Sequence, residues 1–276
     1  MFNSDVRSPA VAGLFYPDDP DSIQKVLQGF LRDVRVDLDL EMPIRGVVAP
    51  HAGYPYSGPV AAYAYKAIAG LKPSRVIIIG PSHRLHFNGA SIFNGEAFAT
   101  PLGEVTIDTE YASRLQEFPG IILQKNGHKD EHSIEVQIPF LQHIYSHEFR
   151  IVPIALGSQD SETIQNLATA LKETWEENTL IIASSDLSHF YDYNKAMLMD
   201  SAFADLLESN DIQGLWNAIN EHRIEACGFG GVLTLLHVLD SWEQTNIQIL
   251  KLANSADESG ERDRVVGYLS AVMQGG

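Results

Sequence analysis

Short apolar runs alternate along this chain with stretches whose hydrophobic residues recur every three or four positions, the rhythm of buried strands and covering helices. Gly46-Val47-Val48-Ala49, Val76-Ile77-Ile78-Ile79 and Leu180-Ile181-Ile182-Ala183 contain no polar side chain, as strands covered on both faces require. A further strand is expected over 149–156. Behind Asp19-Pro20, suited to an N-cap and first helical turn, Ile23, Val26, Leu27, Phe30, Leu31 and Val34 line one helical face. Ser57-Gly58-Pro59 opens an alanine-rich helix that closes near Gly70, and the spacing predicts helices over 109–118, 161–175, 194–208, 211–220 and 232–239. Residues 91–98 and 104–108, joined by Thr100-Pro101-Leu102-Gly103, read as a β-hairpin placed to flank a site, followed by a short strand over 121–124. Ser133 is placed to cap a helix with Ile134, Ile138, Leu141 and Tyr145 on its apolar face, which Pro139 would kink unless it lies in the first turn. Two long closing strands, 246–254 and 264–273, are expected to pair antiparallel across 257–263.

No linker, repeat or low-complexity tract interrupts this alternation, so residues 1–276 read as one α/β domain with a mixed, mostly parallel central sheet flanked by helices. A formal net charge of −17, from 19 Lys and Arg against 36 Asp and Glu, argues against a nucleic-acid partner, because neutralising phosphates needs a basic face. The mixed, polar residues 1–12 do not form a targeting segment and no apolar run reaches membrane-spanning length, so the expectation is a soluble, cytoplasmic protein. The single cysteine, Cys227, excludes an intrachain disulfide and fits a reducing compartment.

Three of the apolar runs end in turns that carry a histidine: Pro50-His51, Gly80-Pro81-Ser82-His83 and Ser184-Ser185-Asp186-Leu187-Ser188-His189. Ligands of open α/β sheets collect beyond the carboxyl ends of parallel strands, so imidazoles delivered there can converge on a metal or acid–base centre. Alone, each would equally suit a loop hydrogen bond; their parallel placement favours function. Asp186 can hold His189 in one tautomer, or Ser185 and Asp186 can simply cap a helix. Cys227, before Gly228-Phe229-Gly230-Gly231, sits at a helix entrance whose dipole would favour a thiolate, although a lone cysteine also suits a buried apolar position. His132, preceded by Asp130 and Glu131, is a candidate of the same kind. No G-x-S-x-G elbow, Walker loop or H-E-x-x-H helix is present.

Ala49-Pro50-His51-Ala52-Gly53-Tyr54, Gly80-Pro81-Ser82-His83, Asp130-Glu131-His132-Ser133-Ile134-Glu135, Ser184-Ser185-Asp186-Leu187-Ser188-His189 and Cys227-Gly228 together resemble the Memo family, whose prokaryotic members are called AmmeMemoRadiSam system protein B. The resemblance runs from about Ala12 to Met273. It implies a fold similar to the catalytic subunit of class III extradiol dioxygenases, the LigB-like fold of non-haem iron(II) enzymes. It also implies metal ligands at His51, His83 and Cys227, with Asp186 and His189 as polar residues beside the metal. The dioxygenases place a carboxylate where this chain has Cys227, so ring cleavage does not carry over with the fold.

The leading expectation is an iron-dependent oxidoreductase on an unknown small-molecule substrate, with Fe(II) on His51, His83 and Cys227 and acid–base roles for His189, Asp186 and His132. Zinc or copper would suit the same donors, and zinc would make a hydrolase. A binding or scaffold protein with a vestigial pocket is the rival from another class. The resemblance further implies association with a radical-SAM protein and an AMMECR-type protein, and a homodimer is consistent with the architecture.

Overall fold

The computed structural model describes residues 5–38 and 42–276, so the first four residues of the N-terminal segment lie outside it. The chain opens with β1 (Val6–Arg7) and α1 (Pro20–Arg32), then runs through β2 (Ile44–Ala49), α2 (Tyr54–Ile68) and β3 (Arg75–Pro81). Three short strands follow, β4 (Ala90–Ile92), β5 (Ala97–Thr100) and β6 (Gly103–Thr106), before α3 (Thr109–Leu115) and β7 (Ile121–Leu123). After 3-10 turns at Asn126–His128 and Glu135–Gln137 come α4 (Ile138–Ile144), β8 (Arg150–Leu156), α5 (Ser161–Glu173) and β9 (Thr179–Ser184). The last third holds β10 (His189–Tyr191), α6 (Tyr193–Glu208), α7 (Ile212–Asn220), α8 (Phe229–Leu239), β11 (Thr245–Asn254), α9 (Ala256–Ser259) and β12 (Val265–Gly275).

One mixed sheet organises the molecule in the order β10-β12-β2-β9-β3-β8-β4-β7, with β11 paired to β12. Its centre, β2-β9-β3-β8, is parallel, whereas β12 runs antiparallel to β2 and β4 antiparallel to β8. The expected antiparallel pairing of the two closing strands is present, from Thr245 opposite Gly275 to Asn254 opposite Gly267. Strand β9 lies between β2 and β3 although it follows both in sequence by about a hundred residues. That crossover puts the turns after β2, β9 and β3 side by side at one end of the sheet.

Alternation along the strands divides the core in two. Ile77, Ile79, Val152, Ile154, Ile181 and Ala183 face one layer of helices that includes α5 and α8, while Val76, Ile78, Ile151, Leu180 and Ile182 face the layer of α1, α2 and α4. Successive strand side chains point to opposite faces, so an uninterrupted apolar run is what a sheet covered on both sides demands. Gly46 permits the close fit of α8: a Cβ there would lie 2.8 Å from both Ile181 O and Leu235. The α1 helix has the expected cap, with Asp19 accepting from Ser22 N and Pro20 in the first turn.

Three elements differ from expectation. Helix α2 starts at Tyr54, so Pro59 lies inside it and does not open it. The hairpin consists of β5 and β6 alone and joins β1 in a separate three-stranded sheet, because residues 90–92 leave to pair with β7 and β8. It lies toward the amino ends of the parallel strands, where Ile107 bridges Ile151, and does not flank the histidine turns. Ser133 caps no helix; its Oγ donates to Pro81 O at 2.8 Å, and Pro139 occupies the first turn of α4, where a missing N–H costs nothing. Among the described residues no helix is long and apolar enough to cross a membrane.

Candidate metal centre

His51 and His83 arrive from the carboxyl ends of β2 and β3, and His132 from the segment before α4. Close backbone approach makes their meeting possible. Gly80 closes the gap to the third histidine: a Cβ there would lie 2.6 Å from Ser133 Oγ, so only glycine lets the 131–133 segment lie against β3. One nitrogen from each of His51, His83 and His132 falls within 4.8 Å of the others. The His83 and His132 rings stack at 4.6 Å, and both meet His51 edge-on.

Hydrogen bonds assign the protons. Ser184 Oγ has one proton and gives it to Ser133 O at 2.6 Å, so toward His51 Nδ1 at 2.9 Å it must accept. His51 therefore carries its proton on Nδ1 and presents an unprotonated Nε2. His83 Nδ1 donates to Glu131 Oε1 at 3.0 Å, which frees its Nε2 in the same way. These are the outer partners that fix a ligating imidazole. His132 Nδ1 is buried 3.3 Å from Glu131 Oε1 without a well-directed hydrogen bond. Three converging imidazoles, two of them with Nδ1 held by an outer partner, and an orphaned ring nitrogen form a donor set that fits a transition-metal ion.

The electrostatics agree. Burial, with lesser contributions from the neighbouring imidazoles, holds His51 well below the usual histidine range, and burial pushes His132 down to about 4. Burial opposes charge on Glu131, but the hydrogen bond from His83 and backbone N–H groups, Ser133 N at 2.9 Å among them, hold its carboxyl well below the ordinary value. A fixed anion thus faces two of the three imidazoles.

Cys227 reaches the cluster from the approach to α8. Gly228 permits this, since a Cβ there would lie 2.1 Å from Ser184 O. Cys227 Sγ sits 3.1 Å from His51 Nε2 and accepts from Asp186 N at 3.3 Å. The expected thiolate is not what this environment favours on its own: burial, and then the Asp186 carboxylate, push the thiol up despite the helix terminus. The S–H donates to the bare Nε2 of His51. The sequence reading put Cys227 in the third ligand place and His132 among the acid–base residues; the structure gathers His132 with His51 and His83 and sets the Cys227 sulfur against His51.

Asp186 and His189 serve separate partners. Asp186 Oδ1 accepts from His51 N at 2.7 Å and Ala52 N at 3.3 Å, so it orients the turn that carries His51 and does not grip His189. Burial raises its carboxyl to about 6 against those hydrogen bonds. The imidazole of His189 instead pairs with Glu225, Nδ1 to Oε1 at 3.4 Å.

Several contributors were not singled out from sequence. Gln137 Nε2 donates to Pro50 O and Ser184 Oγ, tying the β2 and β9 turns together. Buried Glu135 accepts from Arg7, the Tyr16 hydroxyl, and the N–H groups of Ala10 and Val11. That network pins the loop whose Phe15 ring packs 4.8 Å from His132. The acidic residues flanking His132 were the available signal for Glu131; nothing local marks Gln137.

Fold and cluster together define an α/β protein with a histidine centre, able to hold a metal, at the carboxyl end of its parallel strands. The family model described as Memo-like protein matches residues 7–272, and the chain belongs to that family. A MEMO1 family protein of Methanopyrus kandleri is 36% identical over 281 residues, covering 98% of this chain and 99% of that one. One from Thermotoga neapolitana is 38% identical over 281 residues, covering 97% and 99%. Among solved structures, an uncharacterized protein from Escherichia coli K12 is similar with a TM-score of 0.52 at 16% identity, covering 84% of this chain and 100% of that one, a likeness of fold alone.

Proposed function

We propose that this protein is a metal-dependent oxidoreductase acting on a small organic substrate, with Fe(II) as its metal. The observation that supports it most is the convergence of His51, His83 and His132 nitrogens within 4.8 Å, with Ser184 and Glu131 holding the outer nitrogens of the first two. Iron bound there would supply one-electron and oxygen chemistry that no side chain of the chain can perform. Cys227, 3.1 Å from His51 Nε2, adds a sulfur donor whose softness would tune the potential.

The chain's own residues bind, orient and move protons. Glu131 and Ser184 keep two imidazoles in the tautomer that leaves Nε2 bare. Asp186 fixes the His51 turn through two N–H groups. His189, partly exposed and with Nδ1 3.4 Å from Glu225 Oε1, is the group to exchange a proton with substrate. His83 is the most exposed of the three histidines, so the cluster meets solvent on its side.

Metal content decides the reading. Protein purified without oxygen is expected to carry near-stoichiometric iron by mass spectrometry, lost in His51→Ala and reduced in His132→Ala and Cys227→Ser. Zinc in its place would redirect the reading to hydrolysis, and no metal at all would refute it in favour of a binding protein.

A further inference from the structure

Behind Phe15 lies a cavity of about 550 Å³, bounded by the 13–17 loop, α1 and the start of α2. Leu14, Phe15, Val26, Phe30, Tyr54 and Pro55 give it an apolar wall, and Lys25 is the only charged residue among its lining. The volume is that of a site for a small organic molecule. Leu14 is 79% exposed at its mouth, an unusual position for a large apolar side chain in a loop otherwise fixed by buried Tyr16 and Glu135.

Two observations connect this cavity with the metal centre. Phe15 is common to both: its ring packs 4.8 Å from His132, and it also lines the cavity. Its carbonyl accepts from Tyr54 N at 2.8 Å, so the turn leading from His51 into α2 forms the opposite wall. Gly29 then explains why the space exists. It lies within α1 and lines the cavity, yet its backbone is ordinary and a Cβ there would meet nothing within 4 Å. Glycine weakens a helix interior relative to alanine, and here neither a turn nor a close approach calls for it. Its missing side chain leaves only open volume.

We propose that this cavity is a substrate subsite for an amphipathic organic anion. Its aromatic or branched aliphatic body fills the space behind Phe15, its anionic group meets Lys25, and its reactive end turns past Phe15 toward His132. Lys25 makes no close salt bridge among the described residues, although it lies within electrostatic reach of Asp19. On a chain of net charge −17 a single cation in the lining of an apolar cavity selects anions that also bring apolar surface. The subsite deepens the proposed metal-centre function and rests on it for the direction of the reactive end.

The probe is 8-anilinonaphthalene-1-sulfonate, an aromatic body with one sulfonate, followed by fluorescence and by nitrogen NMR of the His132 ring. One equivalent should bind wild type and shift the His132 resonances. Gly29→Leu, which fills the cavity without a clash, should weaken binding at least tenfold while keeping the melting temperature and metal content of wild type. Lys25→Met should weaken it several-fold. His51→Ala removes a cluster imidazole but no part of the cavity wall, so it should bind the probe as wild type even when its metal is gone, which separates failure of the subsite from failure of the metal reading. Wild-type affinity in Gly29→Leu, unsaturable binding, or saturation without a His132 shift would each overturn the proposal.

Discussion

Replacing Ser184 by alanine tests the hydrogen-bond logic of the centre most directly. Ser184 is fully buried, and its one hydroxyl group serves His51 Nδ1, Gln137 Nε2 and Ser133 O. The substitution removes a partner from all three; Gln137 Nε2 keeps Pro50 O at 3.0 Å, so its loss is the smallest. At roughly 1–3 kcal/mol for each buried polar group left unpaired, metal-free Ser184→Ala should be destabilised by about 3–4 kcal/mol. Metal affinity falls for a second reason, because nothing then holds the His51 proton on Nδ1. Loss of such an outer partner weakens metal binding about 10–100-fold, or roughly 1.4–2.7 kcal/mol. Urea unfolding of the metal-free protein reads the first quantity, competition titration with a metal indicator reads the second, and nitrogen NMR reads the tautomer directly. Affinity within twofold of wild type, with His51 still protonated on Nδ1, would refute the assignment of Ser184 as the group that prepares Nε2.

Gly228→Ala should force the approach to α8 away from Ser184 O, where the new Cβ would otherwise lie at 2.1 Å, and so draw Cys227 from His51; the expected result is a folded protein with weakened metal binding, checked by circular dichroism and metal titration. Burial pushes His128 down to about 3, so the folded protein resists a proton that the unfolded chain accepts near 6.5. Stability from this residue is therefore present above about pH 6.5 and is lost as pH falls toward 3. His128→Gln should lose about 2 kcal/mol less than wild type between pH 6.5 and 5 in urea unfolding of the metal-free protein. Asp200 has the opposite sign: burial raises its carboxyl to about 6, its Oδ2 has no hydrogen-bond partner, and stability is lost as pH rises from about 3.8 to about 6. Asp200→Asn should keep the bond from Ser188 N and raise stability at pH 8 by as much as roughly 3 kcal/mol, a gain absent below pH 4.

The positions of His51 and His83 were readable because each closes a strand whose period and length are encoded locally. Their convergence was only implied, since the insertion of β9 between β2 and β3 is a tertiary event that no local pattern records. His132 and Cys227 were marked as chemistry-bearing, but which of them joins the other histidines depends on the close approaches at Gly80 and Gly228. The same limit applies to proton placement: Asp186 lies three residues before His189 in sequence, yet it bonds the turn at His51, 135 residues away. The thiolate expected at Cys227 from its helix terminus gave way to burial, a quantity that appears only once α8 is packed. The hairpin was found and misplaced, because pattern shows that two strands pair but not which end of a neighbouring sheet they cover.

The threading of β9 also sets the order in which this molecule becomes competent. All three cluster histidines leave the ribosome within the first 132 residues, but β2 and β3 are not neighbours; they stand on either side of a strand that ends at Ser184. Until that strand arrives, β2 and β3 cannot take up their final separation, about two strand spacings or roughly 9.5 Å. Ser184 itself, which prepares His51, is the last residue of the inserted strand. A nascent chain stopped before β9 would thus carry every cluster imidazole and still lack the centre. A metal held by these three imidazoles would need the finished sheet, so chain order alone would prevent premature loading.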